Sequence, residues 1–182
     1  MSIMDTGFVN DIKHSKYLYP KAYRCWHNMR HRCKRTKDNP TYNDVDICVE
    51  WRKFSTFLKW FNTMYVDDYE LDKDLLGNGK IYSPVTCCFL PKELNIAIRH
   101  KQCNNSTSYY GISKKTNRDC YTIQLSMYGK KTHIGYAKTL EEAKEIYDKA
   151  KHTYVKELAE TYYSLGKINA KVYEALIERR YE

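Results

Sequence analysis

Between residues 21 and 35 apolar side chains recur every three or four positions, at Ala22, Cys25, Trp26, Met29 and Cys33, with Arg24, Arg30, Arg32, Lys34 and Arg35 around them. The spacing predicts an amphipathic helix that stops in the turn Asp38-Asn39-Pro40. A short β-prone run, Val45 to Val49, leads into a second helical stripe of Trp51, Phe54, Phe57, Leu58 and Phe61. Burying such rings is the largest stabilising term open to a small domain, so this stripe is core. Gly77-Asn78-Gly79 between two apolar runs predicts a β-hairpin or tight loop, and Pro91 followed by Lys92 to Ile98 predicts another helix.

After residue 103 the pattern changes. Cys103 to Ser108 is a polar run of linker type, which places a boundary there and divides the chain into residues 1–103 and 104–182. Tyr109 to Ser113, Tyr121 to Ser126 and Lys131 to Tyr136 read as three strands, with turns at Thr116-Asn117 and Tyr128-Gly129. Thr139 and Glu142 form a capping box before a long helix whose Leu140, Ala143, Ile146, Tyr147, Ala150, Tyr154 and Leu158 make one stripe. Gly166 closes it, and Asn169 opens a last helix flanked by the staple pair Ile168 and Tyr173. The fold class expected is α+β, with a three-stranded antiparallel sheet packed on a long helix in the second half.

Composition narrows the function. The 182 residues carry 31 Lys+Arg against 22 Asp+Glu, a formal charge of +9, which favours a polyanionic partner, nucleic acid before membrane. Residues 1–100 hold 16 basic and 12 acidic side chains and residues 101–182 hold 15 and 10, so both halves can touch a polyanion. No stretch has the apolar length of a membrane span, and Asp5 and Asp11 stand where a signal peptide would be basic and then apolar. Seven cysteines without a CxxC pair argue for reduced thiols, with zinc held by Cys33, Cys48 and Cys87 or Cys88 a minor alternative.

In the second predicted strand Tyr121, Ile123 and Leu125 alternate with Thr122, Gln124 and Ser126, so one face packs on the helix and the other is free to bind. Lys114, Lys115 and Arg118 from the first turn, with Lys130, Lys131 and His133 from the third strand, make that face basic. The segment YYGISKKTNRDCYTIQLSMYGKKTHIGYAKTLEEAKEIYDKAKHTY resembles the APETALA-type DNA-binding domain of plant ethylene-response factors and of phage integrases and homing endonucleases. The resemblance covers about residues 109–163 and implies a sheet laid in the major groove, with contacts from Lys115, Gln124, Ser126, Lys131 and His133.

The first half, through YRCWHNMRHRCK, ICVEWRKFSTFLKW, YELDKDLLGNGKIYSPVTCCFLP and Asn95, resembles the HNH endonucleases of bacteriophages over about residues 22–98. That resemblance implies a ββα-metal motif and hydrolysis of duplex DNA with Mg²⁺ or Mn²⁺, in the cytoplasm of a bacterial host. It puts Asp72 at the metal-ligand position, Asp74 two residues on along the same side of a strand, Asn78 in the middle of the motif and Asn95 late in its helix. Lys73 stands where the family has its general-base His, and a phosphate-gripping or charge-neutralising role suits it better. His27, His31 and His100 are other candidate bases, and Arg30, Arg32 and Lys34 form the basic helix beside the acids Asp67, Asp68, Glu70, Asp72 and Asp74. Two functions follow: a metal-dependent phage-type DNA endonuclease, or a DNA-binding protein that kept the scaffold, lost its base and acts as a regulator or antagonist.

Overall fold

A computed structural model of the chain describes residues 7–34, 44–99, 107–115 and 118–179. Arg35, His100, the turns at Asp38-Asn39-Pro40 and Thr116-Asn117, and positions 103–106 of the polar run lie outside them. The architecture is mixed α+β, in two compact units, Met1–Leu90 and Pro91–Glu182. The division precedes the polar run, and the helix Lys92–Ile98 goes with the second unit.

In the first unit a short helix α1 (Ser15–Leu18) precedes α2 (Pro20–Arg32), which opens on a proline at its first position, where the missing N–H costs nothing. Strand β1 (Asp46–Ile47) leads through a 3-10 turn at Val49–Arg52 into α3 (Phe54–Met64). Trp51, Phe54, Phe57, Leu58 and Phe61 are all buried, as the helical spacing predicts, and Trp26 joins them by donating its indole N–H to the Trp51 carbonyl at 2.7 Å. Edge-to-face rings, such as Trp51 on Phe57 at 5.1 Å, fill this core.

Strands β2 (Tyr69–Asp72), β3 (Ile81–Tyr82) and β4 (Cys88–Pro91) follow. The Gly77-Asn78-Gly79 segment is a loop and not a hairpin: β2 pairs with β4, while β3 pairs in parallel with β1, Asp46 opposite Ile81. Local turn chemistry announces a reversal, but it does not choose which strand the next one joins.

The second unit begins with α4 (Lys92–Ile98) and holds β5 (Ile112–Lys114), β6 (Tyr121–Met127), β7 (Lys130–Ala137), α5 (Leu140–Ser164) and α6 (Ala170–Glu178). The three strands form one antiparallel sheet in the order β5-β6-β7. Its inner face, Ile112, Ile123 and Ala137, packs with Ala143, Ile146 and Tyr147 of α5. Tyr128 and Gly129 both take positive φ, 50° and 74°, as a two-residue hairpin with right-handed twist requires.

Caps fix both ends of α5. The Thr139 hydroxyl accepts from the Glu142 N–H at 3.2 Å, and Glu142 reaches back to the N–H of Lys138, one residue earlier than a standard capping box. At the other end Gly166 adopts φ 66°, with Lys167 N–H donating to the Tyr162 carbonyl, a Schellman closure. Asn169 then caps α6 by accepting from Val172 N–H at 2.9 Å, and α6 buries Val172 and Leu176 on packing with α5.

Candidate functional site

Two places hold the residues singled out by sequence, one in each unit. In the first, β2 ends at Asp72, which is only 7 % exposed. Its Oδ1 accepts the backbone N–H groups of Asp74 at 2.9 Å and Leu75 at 2.8 Å, an Asx-type turn that carries the chain out of the strand. Asp72 and Asp74 therefore do not share a strand face: Asp72 points inward at the turn it caps, and Asp74 is exposed beyond it. Lys73, 6 % exposed, turns its ammonium to 2.6 Å from Asp74 Oδ1 and 5.7 Å from the centre of the Tyr82 ring.

The loop that follows is built over this pair. Gly79 sits at φ 72°, and a Cβ there would lie 2.5 Å from Asp74 Oδ1. Asn78 Oδ1 accepts from Lys80 N–H at 3.0 Å, so its exposed amide stabilises the loop locally. Of the other acids, Asp67 accepts from Lys21 at 2.5 Å and from the Tyr65 hydroxyl, and the Lys21 hydrogen bond is the main reason its carboxyl is held below the usual range. Asn95 is buried on α4, which belongs to the second unit.

Nor is the basic helix uniformly available. Arg30 is half-buried, its guanidinium 4.5 Å from the ring centres of both Phe8 and Trp26, because a weakly hydrated planar cation stacks well on aromatic faces. Arg32 and Lys34 are exposed, as are His27, which stacks on Tyr23, and His31. Among the described residues no three His, Cys, Asp or Glu side chains converge as a metal would need. Cys33, Cys48, Cys87 and Cys88 are free thiols, and burial pushes Cys33 and Cys48 up to about 11 and Cys87 up to about 12.

The second place is the outer face of the sheet. Register sets Ser113 opposite Thr122, Thr122 opposite Tyr136, Gln124 opposite His133 and Ser126 opposite Lys131, so these side chains share one face. Between Ile123 and Gln124 the pairing slips: Ile123 faces Gly135 and Gln124 faces His133, which leaves Ile134 as an extra residue in β7. Ile134 packs on the helix-side core, and the bulge brings His133 and Tyr136 onto the outer face together, ring centres 4.6 Å apart. Lys115 joins them, its ammonium 3.4 Å from the Tyr136 hydroxyl and 4.8 Å from the ring centre.

Lys114 does not belong to this face. It pairs with Tyr121 on the opposite side of the ribbon, and its ammonium lies 3.4 Å from Asp119. Lys130, opposite Met127, likewise alternates away from Lys131, while Arg118 is exposed in the β5–β6 connection. Thr122 is 9 % exposed, and its hydroxyl has no hydrogen-bond partner among the described residues. A pocket of about 200 Å³ opens between β5 and β6 beside Gln124. Sequence reasoning missed Tyr136 as part of the face; the signal was Gly135, since an isolated glycine inside a strand pattern marks a bulge.

Comparison of the chain with family models, with curated proteins and with solved structures returns no match.

Proposed function

We propose that this chain is a duplex-DNA-binding protein of the phage HNH endonuclease type, holding DNA on the outer face of the β5-β6-β7 sheet and working in the cytoplasm of a bacterial host. The observation that carries the binding is the bulge at Ile134, through which Lys115, Gln124, Ser126, Lys131, His133 and Tyr136 stand on one face. A twisted three-stranded sheet whose polar side chains are cationic, amide and aromatic fits a groove: lysines meet phosphates, and amide and hydroxyl groups meet base edges. The test is a titration of the full chain against duplexes at several salt concentrations, and the expected outcome is affinity that falls steeply with salt. Salt-independent binding, or none, would set the reading aside.

Hydrolysis is the second reading. It is favoured by the order of elements: β2 ends on Asp72, a glycine-rich loop follows, then β4 and α4, the order that the HNH resemblance implies. The residues present do not fit the implied Mg²⁺ or Mn²⁺ as they stand. Asp72 Oδ1 is engaged by two backbone N–H groups, the Lys73 ammonium lies against Asp74 where a cation would bind, and no third ligand converges among the described residues. A cleavage assay decides between the two activities: supercoiled DNA including the protein's own genomic neighbourhood, incubated with either metal, is nicked by an endonuclease. DNA bound tightly yet left intact marks the regulator or antagonist with a degenerate site.

A further inference from the structure

Gln124 stands at the middle of β6, exposed, with Thr122 and Ser126 as its nearest neighbours along the strand on the same face. Its neighbour on the adjoining chain, just before β5, is Gly111, whose carbonyl accepts the Gln124 N–H at 2.8 Å. A Cβ on Gly111, held at φ 80°, would run into the Gln124 carbonyl oxygen and the Tyr147 ring. The position thus requires glycine, and no β5 side chain stands opposite Gln124.

Beside this amide lies the pocket of about 200 Å³, lined by Ile112, Ser113, Leu125, Ser126 and Lys131. Ile112 and Leu125, 1 % and 5 % exposed, turn their side chains to the helix side, so on the face of Gln124 the polar side chains that border the pocket are Ser113, Ser126 and Lys131.

We propose that Gln124 reads an adenine in the major groove. The inference rests on the DNA-binding reading and goes beyond it by naming the base pair. A primary amide presents one donor and one acceptor side by side, which matches adenine N7 and N6 and mismatches guanine, whose N7 and O6 are both acceptors. Lys131, at the rim, serves the backbone.

The experiment selects bound duplexes from a randomised pool with the full chain, then measures affinities for the selected site with wild type, Gln124→Ala and Gln124→Glu. An A·T pair is expected in the site. Replacing its adenine by 7-deazaadenine should weaken wild-type binding on the order of ten-fold, the size of one bidentate amide–adenine contact. Gln124→Ala should lose the 7-deazaadenine penalty, and Gln124→Glu should move the preference to cytosine, whose N4 amino group a carboxylate accepts. Duplexes bound without an enriched A·T pair, or a 7-deazaadenine penalty unchanged in Gln124→Ala, overturn the adenine reading and leave DNA binding in place. A wild-type chain that binds no duplex overturns DNA binding itself and this inference with it.

Discussion

His133 and Tyr136 are three residues apart on one strand, yet their rings lie 4.6 Å apart on the same face of the sheet. Simple alternation would send them to opposite faces; the extra residue Ile134 restores Tyr136 to the side of Gln124 and Lys115. Register therefore decides which cations face outward, and it does so one residue at a time.

Adjacent lysines should consequently behave differently. Lys115→Ala with Lys131→Ala removes two charges from the outer face and should lower the log–log salt slope of DNA binding by about two, near 0.9 per phosphate contact. Lys114→Ala with Lys130→Ala removes the same charge one residue away, from side chains that alternate to the other side, and should change the slope by less than half as much. Fluorescence anisotropy across a salt series measures both, and equal slopes for the two double variants would remove the register argument.

A second expectation concerns Asp72, whose carboxylate holds the exit of β2 through two backbone N–H groups. Asp72→Ala leaves both donors unsatisfied in a buried turn and should cost about 2 kcal/mol of stability. Asp72→Asn keeps an acceptor oxygen in place and should cost less than half of that. Urea unfolding of the two variants gives the comparison; equal losses would mean that the turn does not depend on the Oδ1 acceptor. The asparagine variant is also the better probe of hydrolysis, because it removes the charge while sparing the turn.

Much of the secondary structure was readable in the residues because it rests on local signals. The aromatic stripe of α3, the cap at Asn169, the Gly166 closure and the start of α4 after Pro91 all stand where spacing and capping chemistry put them. Pairing choices were not readable, since they depend on contacts far apart in sequence: β2 with β4 rather than with β3, and α4 with the second unit. The same limit applied to the sites. Arg30 is a helix-surface cation by spacing, but the ring of Phe8, a residue far away in sequence, turns it into a stacked one. Gln124, Ser126, Lys131 and His133 were legible because alternation holds until the bulge, and Tyr136 was lost just beyond it.

Buried thiols and phenols set a pH dependence. Burial raises Cys25 and Cys87 to about 12, Cys33 and Cys48 to about 11, and Tyr147 to about 12. Unfolded Cys and Tyr ionise near 8.5 and 10, roughly, so above those values the unfolded state sheds protons that the folded state keeps. Stability from these groups is fully present below about pH 8.5 and is lost as pH rises toward 11 and 12. Thermal unfolding from pH 7 to 11 should show a flat region and then a steep fall. Cys87, 1 % exposed, should also resist a thiol reagent at pH 8 until the chain is unfolded.

The final prediction follows from where α4 belongs. Its Glu93 accepts from the hydroxyls of Tyr154 at 3.4 Å and Tyr162 at 3.1 Å, and the Lys151 ammonium donates to the Arg99 carbonyl at 3.1 Å just past its end. Tyr154 in turn accepts the N–H of Tyr128, so the β6–β7 turn, α5 and α4 form one hydrogen-bonded chain. A fragment beginning at residue 104, after the polar run, would lack Glu93, leave Lys151 without the Arg99 carbonyl, and remove the buried Leu94 and Ile98. Each of those two apolar side chains contributes about 1.5–3 kcal/mol when fully buried, so the 104–182 fragment should be at least about 3 kcal/mol less stable than 91–182. Far-ultraviolet circular dichroism with urea unfolding on both fragments tests this, and the longer one should retain cooperative unfolding. If 104–182 unfolds at the same urea midpoint and slope as 91–182, α4 contributes nothing to the second unit, and the boundary belongs in the polar run where composition alone would put it.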